Sequence, residues 1–344
     1  MKALTISQLG GPEYLAVREV PTPAITQPDD VLVRIRAAAL NRLDLFVMDG
    51  LPGVRNPFPH IMGGDGAGTI VTVGTGVTGW QPGERVMVNP GLSCYRCDNC
   101  LDGEHSLCET YRLLGEHLPG TAAEYVVVPS RNLGRIPPAM SWAQAAAFSL
   151  ATLTAWRMLI TRAGLKPGET VLIWGIGGGV SIAALQIAKL TGARVIVTSS
   201  SDDKLARARE LGADEGLNHV STDIGAEVRR LTARRGVEVV VDNVGEKTWE
   251  RSLRCLGRRG RLVTCGGTTG PMVLTDVRKL FWYQWSILGS TMGNYREYQE
   301  IVRLAGQGKL WPVVDSVLPL EAGAAAFDRL ARGEQMGKLV LEVA

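Results

Sequence analysis

"VLIWGIGGGVSIAALQIAKL", residues 171–190, runs from an apolar strand through a turn of glycines, Gly175, Gly177, Gly178 and Gly179, into an amphipathic helix. A pyrophosphate needs this arrangement, with bare backbone beside the phosphates and the unsatisfied N–H groups and dipole of a helix N-terminus aimed at their charge. A glycine turn also serves plain strand-to-helix packing, so the surrounding strand–helix–strand context is what points to a dinucleotide. The third glycine of the usual fingerprint is missing. Ser181 stands where the helix packs closely on the strand, and its small side chain costs little there.

Outward from this turn, apolar strands alternate with amphipathic helices. "TVLIWG" is followed by a helix over 178–191, "ARVIVTS" by one over 203–211, "DEGLNH" by one over 223–235, and "VEVVVDN" by one over 246–256, before "GRLVTCGG" and "SILGSTM". The α/β pattern predicts six parallel strands in a doubly wound sheet, with ligands at the point where strand order reverses. Before residue 150 the pattern differs. Short β-rich runs such as "VLVRIRAAAL", "GAGTIVTVG", "GERVMVNPG" and "AEYVVVP" are broken by Gly and Pro, which predicts a compact β domain with long loops. The tail from Val317 holds one helix and a closing strand that rejoin the first half.

The 344 residues suit two domains at ~150 residues each. With 37 basic against 34 acidic side chains there is no charge asymmetry to attract nucleic acid or an anionic membrane, so small-molecule partners are expected. No apolar run approaches the ~18 residues of a membrane span, and the first residues lack a signal-peptide core, so a cytoplasmic location is expected.

The second strand ends in "VIVTSSSDDKL", where an NAD-binding protein would place an acid to hold the ribose hydroxyls. Ser199 stands there instead. With Ser200, Ser201 and Lys204 it offers donors and a positive charge to a 2′-phosphate, so NADPH is expected, with NAD as the alternative. The plainer reading is that Ser201 or Asp202 caps the next helix and Lys204 is a solvated side chain.

"GLSCYRCDNCLDGEHSLC", residues 91–108, carries Cys94, Cys97, Cys100 and Cys108 at C-x2-C-x2-C-x7-C spacing. In a reducing compartment this reads as a metal site, leaving Cys255 and Cys265 as core thiols.

The β-rich first half, the cysteine loop, the Rossmann second half and the returning tail together resemble the medium-chain dehydrogenase/reductase superfamily over essentially the whole chain. The resemblance implies a GroES-like catalytic domain over 1–151 and 297–344 and a Rossmann NADP-binding domain over 152–296. It also implies a structural zinc on the four cysteines, a closed set with no open position for substrate. The zinc alcohol dehydrogenases of this superfamily hold a second, catalytic zinc through Cys, His and Cys. The matching places here read Asn41 in "NRLD", Gly64 in "GGDG" and Leu150 in "SLATLTAW", which cannot hold Zn²⁺ as those ligands do.

The same "ALNxxD" and "LTAW" wording is similar to the quinone oxidoreductase branch, which works without that zinc. It implies hydride delivery from NADPH to a quinone or an activated C=C. Asn41 and Asp44 would line the site, Arg42 would reach the pyrophosphate and Thr152 would sit by the nicotinamide. Val180, His219 and Cys265 join the expected cofactor-binding set. That branch often has Tyr where this chain has Phe46, so the proton would come from solvent or from His117 in "LLGEHLPGTAAEY"; the ordinary reading of His117 is a surface loop histidine. His60, Asp65 and Asp44 form either an improvised metal site or, as the simpler reading, a polar remnant.

The aromatic run Phe281, Trp282, Tyr283 and Trp285 reads first as packing or a subunit contact. The last strand, expected over Ser286–Thr291, is an apolar edge that invites its own copy, so a homodimer or homotetramer is expected. Two rival readings stand beside the zinc-free reductase of a carbonyl, enone or quinone. One is an alcohol or aldehyde dehydrogenase with an atypical metal site. The other is a cofactor-binding protein without turnover.

Overall fold

The computed structural model describes residues 1–343 and falls into two compact units, residues 1–151 with 293–344 and residues 152–292. The second unit is a Rossmann domain. Its six strands are β1 (Thr170–Ile173), β2 (Arg194–Ser199), β3 (Glu215–Asn218), β4 (Val237–Val241), β5 (Leu256–Thr264) and β6 (Ser286–Gly289), all parallel, in the order 3-2-1-4-5-6. Helices cover both faces, so the central strands are apolar on both sides: Val171, Leu172, Ile173, Val195, Ile196 and Val197 are all fully buried.

Several elements differ in extent from the sequence pattern, among them the helix expected over 246–256, which begins at Trp249. The helix expected over 223–235 stops at Leu231. There Thr232 turns its hydroxyl onto the Val228 carbonyl (2.7 Å) and accepts the Gly236 N–H (3.0 Å), and the chain leaves through positive φ at Ala233, Arg234 and Gly236. β5 starts early, at Leu256, with an irregular register against β4. β6 ends at Gly289, short of Thr291.

The first unit is the GroES-like β domain. Its central strand, Asp30–Ala39, alternates Val31, Val33 and Ile35 into the core, and pairs antiparallel with Asp65–Val73, Tyr125–Pro129 and the closing strand Lys338–Glu342. Leu4, Met62, Leu133, Phe327 and Leu339 fill the core. The pairing register brings three distant points of the chain together. Ala39 lies opposite Asp65 on one side and Val340 on the other, so Asn41, Asp65 and Lys338 arrive at the same end of the sheet. Among the described residues no helix is long and apolar enough to cross a membrane.

Candidate active site

In the second unit, the glycine turn sits at the carboxyl end of β1. Gly175 takes φ +65°, a left-handed conformation that disfavours side chains, and Gly178 N–H closes the turn on the Gly175 carbonyl (3.3 Å). The helix Gly179–Leu190 starts immediately, which puts the N–H groups of Gly179 and Val180 at an N-terminus free of bulky side chains. Ser181 does more than stay small. Its buried hydroxyl donates to the Trp174 carbonyl (3.0 Å), tying the helix to the end of β1 in place of the close glycine contact.

At the end of β2, Ser199 is buried and its oxygen accepts the Ser201 N–H (3.1 Å). Ser201 caps the helix Asp202–Glu210 by accepting the Lys204 N–H (3.3 Å), while Asp202 is held by Asn218 Nδ2 (2.8 Å). The capping reading therefore describes the geometry, and the hydroxyl protons of Ser199 and Ser201 remain available as donors. No carboxylate stands at the strand end itself. His219, after β3, donates its backbone N–H to the Ser199 carbonyl (3.0 Å), and among the described residues its buried Nδ1 has no partner. Burial, and then Arg251, hold the imidazole below its usual pKa, so it is neutral. The ring itself lies 6.1 Å from that of Trp174, centroid to centroid. Cys265 follows β5 with its thiol pushed up to about 12 by burial, so it is a neutral thiol. Thr152 is buried in the helix Ser149–Trp156.

Sequence reasoning missed Asp242, buried at the end of β4, which accepts from Val244 N–H, Gly245 N–H, Thr248 Oγ1 and Ser252 Oγ at 2.6–3.1 Å and so shapes the loop beside the glycine turn. Its signal was "VVVDN", an acid that ends an apolar strand.

In the first unit, the sulfurs of Cys94, Cys97, Cys100 and Cys108 lie within 4.8 Å of one another, with Cys94 and Cys100 3.9 Å apart. A tetrahedron of four thiolates at ~2.3 Å from zinc has edges of about 3.8 Å, so the donor set fits Zn²⁺. Backbone N–H groups of Arg96 and Cys97 lower the Cys94 thiol to about 6, whereas burial pushes the Cys100 thiol up to about 12. No other set of three His, Cys, Asp or Glu ligand atoms converges among the described residues, and His60 instead turns Nε2 to the Gly115 carbonyl (3.0 Å).

The three places that would carry catalytic zinc ligands converge around Asp65. Asn41 Nδ2 donates to Asp65 Oδ2 (2.9 Å), Leu150 N–H donates to Asp65 Oδ1 (2.8 Å), and a Cβ added at Gly64 would lie 3.2 Å from the Leu150 side chain. A buried ammonium completes the cluster: Lys338 Nζ donates to the Asn41 amide oxygen and to Asp65 Oδ2 (3.0 Å). Asn41 is thereby fully engaged. Asp44, 1% exposed, accepts the Asn41 backbone N–H (2.7 Å), and burial raises its pKa to about 7. Lys338 was not singled out in the sequence, where "MGKLVLEV" reads only as a closing strand.

Arg42 is exposed at the first turn of the helix Arg42–Asp49. His117 Nδ1 accepts the Leu113 N–H (3.3 Å), and its Nε2 lies 3.7 Å from the Glu116 carboxylate.

The comparisons agree with these two units. The alcohol dehydrogenase GroES-like domain family matches residues 27–138, and the zinc-binding dehydrogenase family matches residues 179–307. The chain is 32% identical over 350 residues to an NAD-dependent alcohol dehydrogenase of Sulfolobus acidocaldarius, covering 100% of both chains. It is 31% identical to an acryloyl-coenzyme A reductase of Metallosphaera sedula, covering 99% of each. A solved structure of an NAD-dependent alcohol dehydrogenase superposes with TM-score 0.96 at 46% identity, over 100% of both chains. With these matches spanning its whole length, the chain belongs to the zinc-type alcohol dehydrogenase-like branch of the medium-chain dehydrogenase/reductase superfamily and is an oxidoreductase.

Proposed function

We propose that this enzyme is an NADPH-dependent reductase of quinones or α,β-unsaturated carbonyl compounds, with zinc confined to the four-cysteine lobe. The observation that carries the reading is the set Asn41, Gly64 and Leu150. These three meet around Asp65 and present no thiolate or imidazole where a zinc-polarised alcohol would need them. When bound, the reduced nicotinamide supplies the hydride, which adds to an electron-poor carbon. An enone spreads the resulting charge onto its own carbonyl, so the protein needs only to orient it and provide a proton. The relative that reduces acryloyl-coenzyme A, itself an activated C=C, supports this chemistry.

The chain's own groups divide the work. The glycine turn and the N-terminus of the helix Gly179–Leu190 take the pyrophosphate, with Arg42 as a second charge, and Ser199, Ser200, Ser201 and Lys204 take the 2′-phosphate. Thr152, His219 and Cys265 line the rest of the cofactor's path. The proton that completes the reduction comes from His117 in its doubly protonated form, which requires Nδ1 to release the Leu113 N–H, or from solvent. Asn41 and Asp44 act by holding the site's shape, since their polar groups are engaged with Lys338, Asp65 and each other.

The enzyme works as a homodimer built on β6, an edge strand beside exposed Val277, Phe281 and Trp282. Tyr283 and Trp285 do not join that surface: they stack at 5.2 Å, and Trp285 Nε1 donates to the Gly257 carbonyl (2.9 Å). None of the six cysteines is joined in a disulfide, which suits a reducing, cytoplasmic setting.

The names of several relatives favour a second reading, oxidation of an alcohol with NAD. Metal content and turnover separate the two. One zinc per chain with NADPH oxidation by an ortho-quinone or a 2-enal is expected; two zincs per chain with alcohol oxidation would overturn the proposal. Turnover of any of these substrates excludes the silent-protein reading.

A further inference from the structure

The cluster at the end of the first unit's sheet has a charge requirement of its own. Asp44 and Asp65 are 1% and 0% exposed, and two carboxyls this deep need a cation or a proton. Asp65 is the member surrounded by donors: it accepts from Asn41 Nδ2, Lys338 Nζ and the Leu150 N–H. The matching cation is Lys338, itself 4% exposed, which reaches the cluster because its strand pairs with Asp30–Ala39 in the register that sets Val340 opposite Ala39. A divalent ion bound between the Asn41 amide oxygen and Asp65 Oδ2 would have to take the space that Nζ fills and would face its charge at contact distance.

We propose that Lys338 is the resident cation of this centre, a positioning residue whose ammonium fixes the Asn41 amide and the Asp65 carboxylate and excludes a divalent metal from the place between them. The inference rests on the reading that no catalytic metal sits here, but not on the substrate. Removing the ammonium leaves the Asp65 carboxyl and the Asn41 amide oxygen facing the vacated place, with the Asp44 carboxyl behind Asn41, hard oxygen ligands suited to Mn²⁺ rather than to thiolate-seeking metals, so the four-cysteine site does not compete for the probe.

The test uses the full-length, zinc-loaded protein titrated with Mn²⁺ and followed by the electron paramagnetic resonance of the free ion. Wild type and Lys338→Arg should bind no Mn²⁺. Lys338→Ala should bind one per chain at sub-millimolar concentration, and Lys338→Ala with Asp65→Asn should lose it. Uptake by wild type equal to that of Lys338→Ala, or no uptake by a folded Lys338→Ala, overturns the proposal. If Lys338→Ala does not fold, thermal melts of Lys338→Met and of Lys338→Met with Asp65→Asn decide. The single variant should melt at least about 5 °C below wild type and the neutral pair should recover most of that loss; a pair no more stable than the single variant overturns it. A second zinc found in wild type overturns both this inference and the metal-free reading, whereas failure of the Mn²⁺ arm with one zinc per chain overturns this inference alone.

Discussion

Asp44 accepts the backbone N–H of Asn41 at 2.7 Å, three residues before it, and this buried contact makes the carboxyl both a helix cap and a proton store. Burial raises its pKa from 3.8 to about 7, against the opposing pull of the Asn41 N–H and Lys338. The sign follows from linkage. Between about pH 4 and pH 7 the folded chain holds a proton that the unfolded chain has released, so the contribution, fully present below pH 4, is lost as pH rises through 7. Asp44→Asn cannot ionise and keeps an acceptor oxygen. The difference in stability, variant minus wild type, should therefore grow by a few kcal/mol from pH 4 to pH 8, read from denaturant unfolding at each pH. A difference that stays constant with pH would show that Asp44 does not store this proton.

The cysteine lobe should be a folding element. Cys100 and Cys108 are buried, and with Cys94 and Cys97 they complete the tetrahedral set. Cys100→Ser or Cys108→Ser should release zinc, seen by atomic absorption, and lower the melting temperature by about 5 °C or more. Chelation of wild type should produce the same loss, reversed by added Zn²⁺.

Cofactor choice should turn on Ser199. Its oxygen already accepts the Ser201 N–H, and Ser199→Asp can keep that bond while adding a negative charge where the 2′-phosphate is proposed to lie. NADPH affinity should fall about 10- to 100-fold, the scale of one charged hydrogen bond lost, and NADH affinity should hold or improve. Isothermal titration with both cofactors measures this. Equal losses for the two would place the 2′-phosphate elsewhere.

The β6 edge should govern assembly. Phe281 and Trp282 are 64% and 68% exposed on the helix Val277–Tyr283, beside a strand hydrogen-bonded on one side only. Phe281→Asp with Trp282→Asp should shift the solution mass, measured by light scattering, from dimer to monomer without lowering helix content.

What the sequence by itself determined was local. The glycine turn, the change of periodicity near residue 150 and the cysteine spacing each act within one or two turns of chain, so each could be read residue by residue, and each appears where the pattern put it. The helix over 223–235 ran too long because Thr232 draws its own backbone bonds and ends it early, an effect periodicity does not carry. The centre around Asp65 belongs to the tertiary structure. Lys338 meets Asn41 across 297 positions and Asp65 across 273, through a strand register set by the whole sheet. A lone lysine in a closing strand carries no mark of the carboxylate it will face, because burial and the pairing of charges are properties of where strands meet.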